Sequence, residues 1–258
     1  MKPIVYTTDL DDGGLAFEHS LALARAAGTE LVSLHAGGDL GALARMPDSA
    51  RVLARWGAEV NAVAYRKFVH DCCEDPVESV LDALRSLDPA LVVASTHRRG
   101  VLARFFAGSR AEAIAHNVTV PMLLLPDGAR GFVSPRDGSI ALPRIVVPIG
   151  QAADSAAAVR AAVWLADLAH VETTELVLLH VGAEPAPAVP IPARRGLTVR
   201  RQTVDAPALE EAIVDAAATA AMIVMATRGH DSVADVLLGS HTDRVLHHAT
   251  CPLLSVAL

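Results

Sequence analysis

The chain has 258 residues, of which 52% are hydrophobic and 20% charged, and its formal net charge is −7. That balance describes a globular protein with ample core-forming residues, and it argues against a nucleic-acid binder, which carries a basic face. Aromatics make up only 3%, so the core must be built from Ala, Val, Leu and Ile, as suits a parallel sheet covered by helices.

The opening MKPIVYTTDLDD turns acidic before any apolar run long enough for a signal peptide, so a cytoplasmic protein is expected. Within it, Ile4–Thr8 reads as a short strand. Asp9 follows, beside Asp11 and Asp12, and reads equally as a functional acid or as a cap of the DLDDGG turn. A helix with Phe17, Leu21 and Ala24 on one face comes next and ends at Gly28. Leu31–His35 is the second strand. A helix reaching Trp56, with Pro47 in its first turn, is expected before a third strand near Val60–Tyr65. Cys72 and Cys73 are adjacent, so neither is half of a C-x-x-C pair; with Cys251 they read as reduced thiols. A helix carrying Val77, Leu81 and Leu84 leads to a fourth strand, Leu91–Ala94. Arg98, Arg99, Arg104 and Arg110 then concentrate positive charge, either as a solvated loop or as an attractor of anions. Gly108 and Ser109 open a helix, and Val120–Pro126 is the fifth strand.

From Pro126 to Pro143 the chain is rich in Gly and Pro, lacks a helical period and reads as a linker. After it the same elements come again. Ile145–Ile149 is a strand, and Ala156, Val159, Val163 and Ala166 share a helix face. Leu176–His180 and Leu197–Val204 follow as strands, then a helix carrying Leu209, Ile213 and Ala217, then the strand Met222–Ala226. Gly239 and Ser240 open the last helix, and Cys251–Leu258 closes the chain as a strand. Gly108, Ser109 and Pro121 recur as Gly239, Ser240 and Pro252 at one constant offset. The chain is therefore a duplication. The copies differ between their second and third strands, where four prolines in Ala183–Gly196 rule out the helix expected in the first copy. The longest apolar stretch, Ala216–Ala226, is too short to span a bilayer, and no membrane partner is expected.

This order predicts an α/β fold: two tandem, doubly wound, five-stranded parallel-sheet domains of Rossmann-like type, at residues 1–126 and 144–258, joined by a linker at 127–143. In such sheets ligands sit beyond the carboxyl ends of the strands. A helix N-terminus there offers free backbone N–H groups and a positive dipole end, which suits phosphate, and glycine lets the backbone come close. The structural role of Gly239 and Ser240, starting a helix packed close to a strand, is an equal alternative. No G-x-S-x-G, P-loop or H-E-x-x-H motif occurs, so no catalytic residue is assigned. His241 and His248 stand two turns apart and do not chelate one ion, so no metal site is assigned. His35 and His180 end equivalent strands, which suggests common ancestry and a place at the edge of a site.

The stretch from Met225 to Val256 resembles the end of a universal stress protein domain. That resemblance implies an adenine nucleotide alpha hydrolase-like fold and a G-x2-G-x9-G-[S/T] motif that holds ATP phosphates. It also implies an Asp after the first strand that contacts the adenosine. In the second copy Gly229, Gly239 and Ser240 match the motif, His230 lies inside its loop, and Ala226 replaces the first glycine. In the first copy only Gly108 and Ser109 remain, with Ser95 and Arg98 at the leading positions. Asp9 matches the family acid, and Gly150 stands in its place in the second copy. Each copy thus keeps a different part of the site, and the C-terminal one is the better candidate for ATP, with Mg²⁺ if ATP is bound.

The resemblance further implies strand order 3-2-1-4-5 in each copy and pairing of the two last strands, an intramolecular pseudo-dimer. A homodimer of the whole chain stays open. The implied function is a non-enzymatic, bacterial stress-response protein that binds a nucleotide. A scaffold that no longer binds ATP, and a slow ATPase or nucleotidyl-transfer enzyme, are the alternatives.

Overall fold

In the computed structural model, residues 1–10, 14–38, 41–71, 76–96, 120–150, 152–227 and 239–258 are described. The first half runs β1 (Ile4–Thr7), α1 (Leu15–Ala27), β2 (Leu31–Ala36), α2 (Ala42–Arg45), α3 (Ser49–Arg55), β3 (Tyr65–His70), α4 (Pro76–Leu87), β4 (Leu91–Ser95) and β5 (Met122–Leu125). The second runs β6 (Arg144–Pro148), α5 (Ala152–Leu168), β7 (Thr174–Val181), β8 (Leu197–Val204), α6 (Leu209–Ala216), β9 (Met222–Thr227), α7 (Gly239–His248) and β10 (Leu253–Ala257).

The strands form one sheet in the order β3-β2-β1-β4-β5-β10-β9-β6-β7-β8. Each half is thus a doubly wound, five-stranded parallel sheet in the order 3-2-1-4-5. An antiparallel pairing joins them, the only one between the described strands of the sheet: Leu253, Leu254 and Ser255 of β10 pair with Leu124, Leu123 and Met122 of β5. Two edges that would otherwise lie open are covered in this way.

Successive strand residues point to opposite faces, and both faces are apolar, which is why the strands read as continuous hydrophobic runs. Ile4, Tyr6, Leu91, Val93, Leu123, Ile145 and Val147 join α1, α3 and α5 in one core. Val5, Val92, Leu124, Val146 and Ile223 join α4, α6 and α7 in the other. Each core runs across the antiparallel seam, so burial ties the halves together beyond the three paired residues. α1 stops where expected: Gly28 adopts φ 60, and the N–H groups of Gly28 and Thr29 bond the carbonyls of Arg25 and Ala24 at 3.3 and 3.0 Å.

Three regions depart from the sequence reading. Pro47 does not sit inside one helix; it separates α2 from α3, and Asp48 caps α3 by accepting the Ala50 N–H at 3.0 Å. The third strand begins at Tyr65 rather than ending there, and Val60 is exposed. This strand is the sheet edge, so its Arg66 and Lys67 interrupt the apolar pattern by which a buried strand is recognised. The Gly- and Pro-rich segment after β5 is packed rather than a loose tether. Phe132, Val133 and Leu142 are buried in the first core, and Val133 bridges Ile140.

That segment is held by a histidine on α1. His19 is fully buried; its Nδ1–H donates to the Leu15 carbonyl at 2.7 Å, and its Nε2 accepts the N–H groups of Phe132 and Val133 at 2.9 and 3.3 Å. The Phe132 ring meets the imidazole edge-on at 4.5 Å between centroids. Only the neutral ring satisfies this arrangement, because protonation would set a donor against two donors. Burial accordingly holds the His19 pKa down at about 4.

Candidate functional site

At the exit of β1 the backbone is fastened residue by residue. The Thr8 N–H donates to the Leu34 carbonyl at 2.9 Å, and the Leu10 N–H to Thr8 Oγ1 at 3.0 Å. His35, from the end of β2, donates Nδ1–H to the Thr8 carbonyl at 2.9 Å. Leu10 is held at φ 75, a left-handed conformation rare for a branched residue. Asp9 is thereby presented, half-buried, at the carboxyl end of the central strand of the first half.

The second half repeats the fastening with other side chains. The Ile149 N–H donates to the Leu179 carbonyl at 2.7 Å. His180 stands as His35 does, with Nδ1 at 3.2 Å from the Ile149 carbonyl, and its Nε2 lies 2.8 Å from the Glu184 carbonyl. The two repeated histidines are therefore struts that pin the exit of each central strand. At Gly150 no carboxylate is present; its N–H is held by Ser155 Oγ at 3.1 Å, and a Cβ placed there would meet no atom within 4 Å. Sequence reading missed Ser155 because a serine near the start of a helix has many bland uses. Its position five residues after Gly150 was the available signal.

The halves also differ beside these exits. β1 pairs with β4 along its whole length, from Ile4↔Leu91 to Thr7↔Ala94. β6 pairs with β9 only at Ile145↔Met222 and Val146↔Ile223, although the two strands run on to Pro148 and Thr227. The hydrogen-bond ladder of the central pair in the second half therefore ends early, at the point where strand order reverses and open α/β sheets admit ligands. Pro148 has no N–H to continue the ladder.

Ala226 lies in β9, half-buried and packed against the first core, and Thr227 beside it is buried. Gly239 and Ser240 are the first two residues of α7. Gly229, His230, Gly108 and Ser109 lie outside the described residues, as do Arg98, Arg99, Arg104 and Arg110. On α7, His241 Nδ1 meets Glu210 Oε1 at 2.8 Å, and Arg244 reaches the same oxygen at 3.0 Å. The His241 hydrogen bond is the first cause that lowers the Glu210 pKa. His247 bonds the Asp243 carbonyl within its own helix at 2.9 Å. Among the described residues no group of three or more His, Cys, Asp or Glu side chains is arranged to hold a metal, and no helix is long and apolar enough to cross a membrane.

A doubly wound parallel fold with fastened central exits defines the class; comparison with known proteins defines the family. The model of the universal stress protein family matches residues 1–126 and 193–257. The chain belongs to that family. No curated protein matches it. Among solved structures it is similar to a universal stress protein from Archaeoglobus fulgidus DSM 4304, at 16% identity and TM-score 0.60, covering 99% of this chain and 98% of that one. It is also similar to a functionally unknown protein from Pseudomonas aeruginosa PAO1, at 15% identity and TM-score 0.60, covering 99% and 92%. At such identities these structures speak for the fold alone.

Proposed function

We propose that this universal stress protein binds an adenine nucleotide, ATP with Mg²⁺, in its C-terminal half, and that it acts in the cytoplasm by binding rather than by catalysis. The observation that carries this reading is that α7 starts at Gly239 and Ser240, the pair that matches the phosphate motif of the family. The switch point of this half lies beside Gly150, where an added side chain would meet no atom within 4 Å. α7 begins with Gly-Ser after β9, so its first N–H groups are available to phosphate oxygens. Gly229 matches a further glycine of the phosphate motif. The absence of an acid at Gly150 favours a second reading, a scaffold without nucleotide, because the ribose and base would lose a charged contact.

Calorimetric titration with ATP and Mg²⁺ separates the two. The expected result is one nucleotide per chain for the unchanged protein and at least about a tenfold loss of affinity for Gly239→Val, whose branched side chain crowds the start of α7. Identical titrations of both proteins would remove the phosphate site. No heat and no thermal shift at millimolar ATP would favour the scaffold, since a ligand well above its Kd must stabilise the fold.

A further inference from the structure

We propose that β8 is a dimerisation edge, built to pair antiparallel with β8 of a second copy of this chain. β3 and β8 are the two outer edges of the sheet, and they are treated differently. On β3 the charges are used within the chain: Arg66 meets Glu30 at 3.0 Å, Lys67 donates to the Leu43 and Met46 carbonyls at 3.0 Å, and His70 meets Asp82 at 2.9 Å. α2 also stands beside it. On β8 the corresponding helix is replaced by the proline-rich connection, and Val199 is 39% exposed. None of Arg200, Arg201, Asp205, Glu211 and Asp215 makes an ion pair or side-chain hydrogen bond among the described residues.

The phase of this edge follows from its ladder. The Thr174 N–H bonds the Gly196 carbonyl at 3.0 Å, and the Gly182 N–H bonds the Val204 carbonyl at 2.9 Å. Even-numbered residues of β8 therefore bond β7, while Val199, Arg201 and Thr203 turn their N–H and C=O groups outward, unpaired. Side chains alternate likewise: Leu197 packs on the first core and Val204 on the second. Arg201 and Asp205 thus share one face. Arg200 lies on the other face, where β8 and α6 form a groove of about 370 Å³ whose lining includes Val204, Ala208, Glu211, Ala212 and Asp215.

On one face Arg201 comes first along the chain and Asp205 after it; on the other, Arg200 lies on β8 while the acids Glu211 and Asp215 lie on α6, lining the groove. An edge with that polarity is complementary to itself when reversed, which is the condition for a twofold contact. With Thr203 on the twofold axis, the two Thr203 residues exchange N–H···O=C bonds. Arg201 then stands opposite the partner's Asp205, and Arg200 stands opposite the partner's Ala206, at the mouth of the groove that holds Glu211 and Asp215. An uncharged or acidic edge would not discriminate in this way; this one selects a copy of itself.

Sedimentation across a concentration series tests the proposal. The unchanged chain is expected to move from 27.0 kDa toward twice that mass, and to return at high salt. Arg200→Glu with Arg201→Glu should stay monomeric, and so should Asp205→Lys with Glu211→Lys and Asp215→Lys. An equimolar mixture of these two variants should restore a dimer, because the reversed charges are again opposite. Thr203→Pro removes an outward N–H that β7 does not use, and should abolish the dimer with unchanged circular dichroism. A chain that is monomeric throughout overturns the proposal. So does a dimer that survives both charge variants and Thr203→Pro, or a mixture that stays monomeric.

Discussion

His19 makes acid a specific weakness of this fold. Its pKa falls from 6.5 to about 4 on burial, so between these values the unfolded chain binds a proton that the folded chain refuses. Stability from this group is complete above pH 6.5 and is lost as the pH falls toward 4. The whole difference is worth about 3 kcal/mol, of which about 2 kcal/mol is already gone at pH 5. Carboxylates titrate nearby, so the experiment is a difference. Urea unfolding is followed from pH 8 to pH 4 for the unchanged protein and for His19→Gln, which cannot titrate. At pH 8 the variant should be less stable by about 1–3 kcal/mol, because it loses the ring that bonds the Leu15 carbonyl and packs on Phe132 while holding the Phe132 and Val133 N–H groups. By pH 5 that gap should have closed or reversed. Parallel pH profiles for the two proteins would refute the reasoning, since they would mean that the ring titrates alike in both states.

Other outcomes follow from geometry already given. Gly196 sits at φ 74, and a Cβ there would run into the Glu172 carbonyl; Gly196→Ala should cost more than about 2 kcal/mol in chemical denaturation. Gly128 has a similar φ of 71 with nothing within 4 Å, so Gly128→Ala should cost only about 1 kcal/mol. Cys251 is buried just before β10, and burial pushes its thiol up to about 11. Peptide mapping after iodoacetamide at pH 8 should find Cys251 unmodified in the folded protein and modified in urea. Labelling at equal rates in both would contradict that burial.

The parallel core was legible because buried strands are continuous apolar runs, and Leu31–His35, Leu91–Ala94 and Met222–Ala226 each fall within an observed strand. Leu197–Val204 is the observed β8 itself, its Thr-Val pairs at 198–199 and 203–204 marking a strand although Arg200 and Arg201 interrupt it. β3 was misplaced because an edge strand keeps charged residues that blur the pattern. The packing of 127–143 was invisible for a different reason. Phe132, Val133 and Leu142 have no local period, and Phe132 and Val133 are held by His19, more than a hundred residues earlier. The candidate site was legible as a motif but not as a shape. The β6–β9 ladder stops after two pairs while the β1–β4 ladder runs on, and Pro148, read only as part of the strand Ile145–Ile149, was the signal for it.

The antiparallel seam between β5 and β10 has one more consequence. Every strand of the first half runs in one direction, and every strand of the second runs against it. Asp9 and Gly150, though related by duplication, therefore look out from opposite rims of the sheet. No single small molecule can bridge them, and a ligand on one rim is out of reach of anything docked on the other. Duplication in this arrangement yields a two-sided protein, whose rims can diverge separately without sharing an occupant.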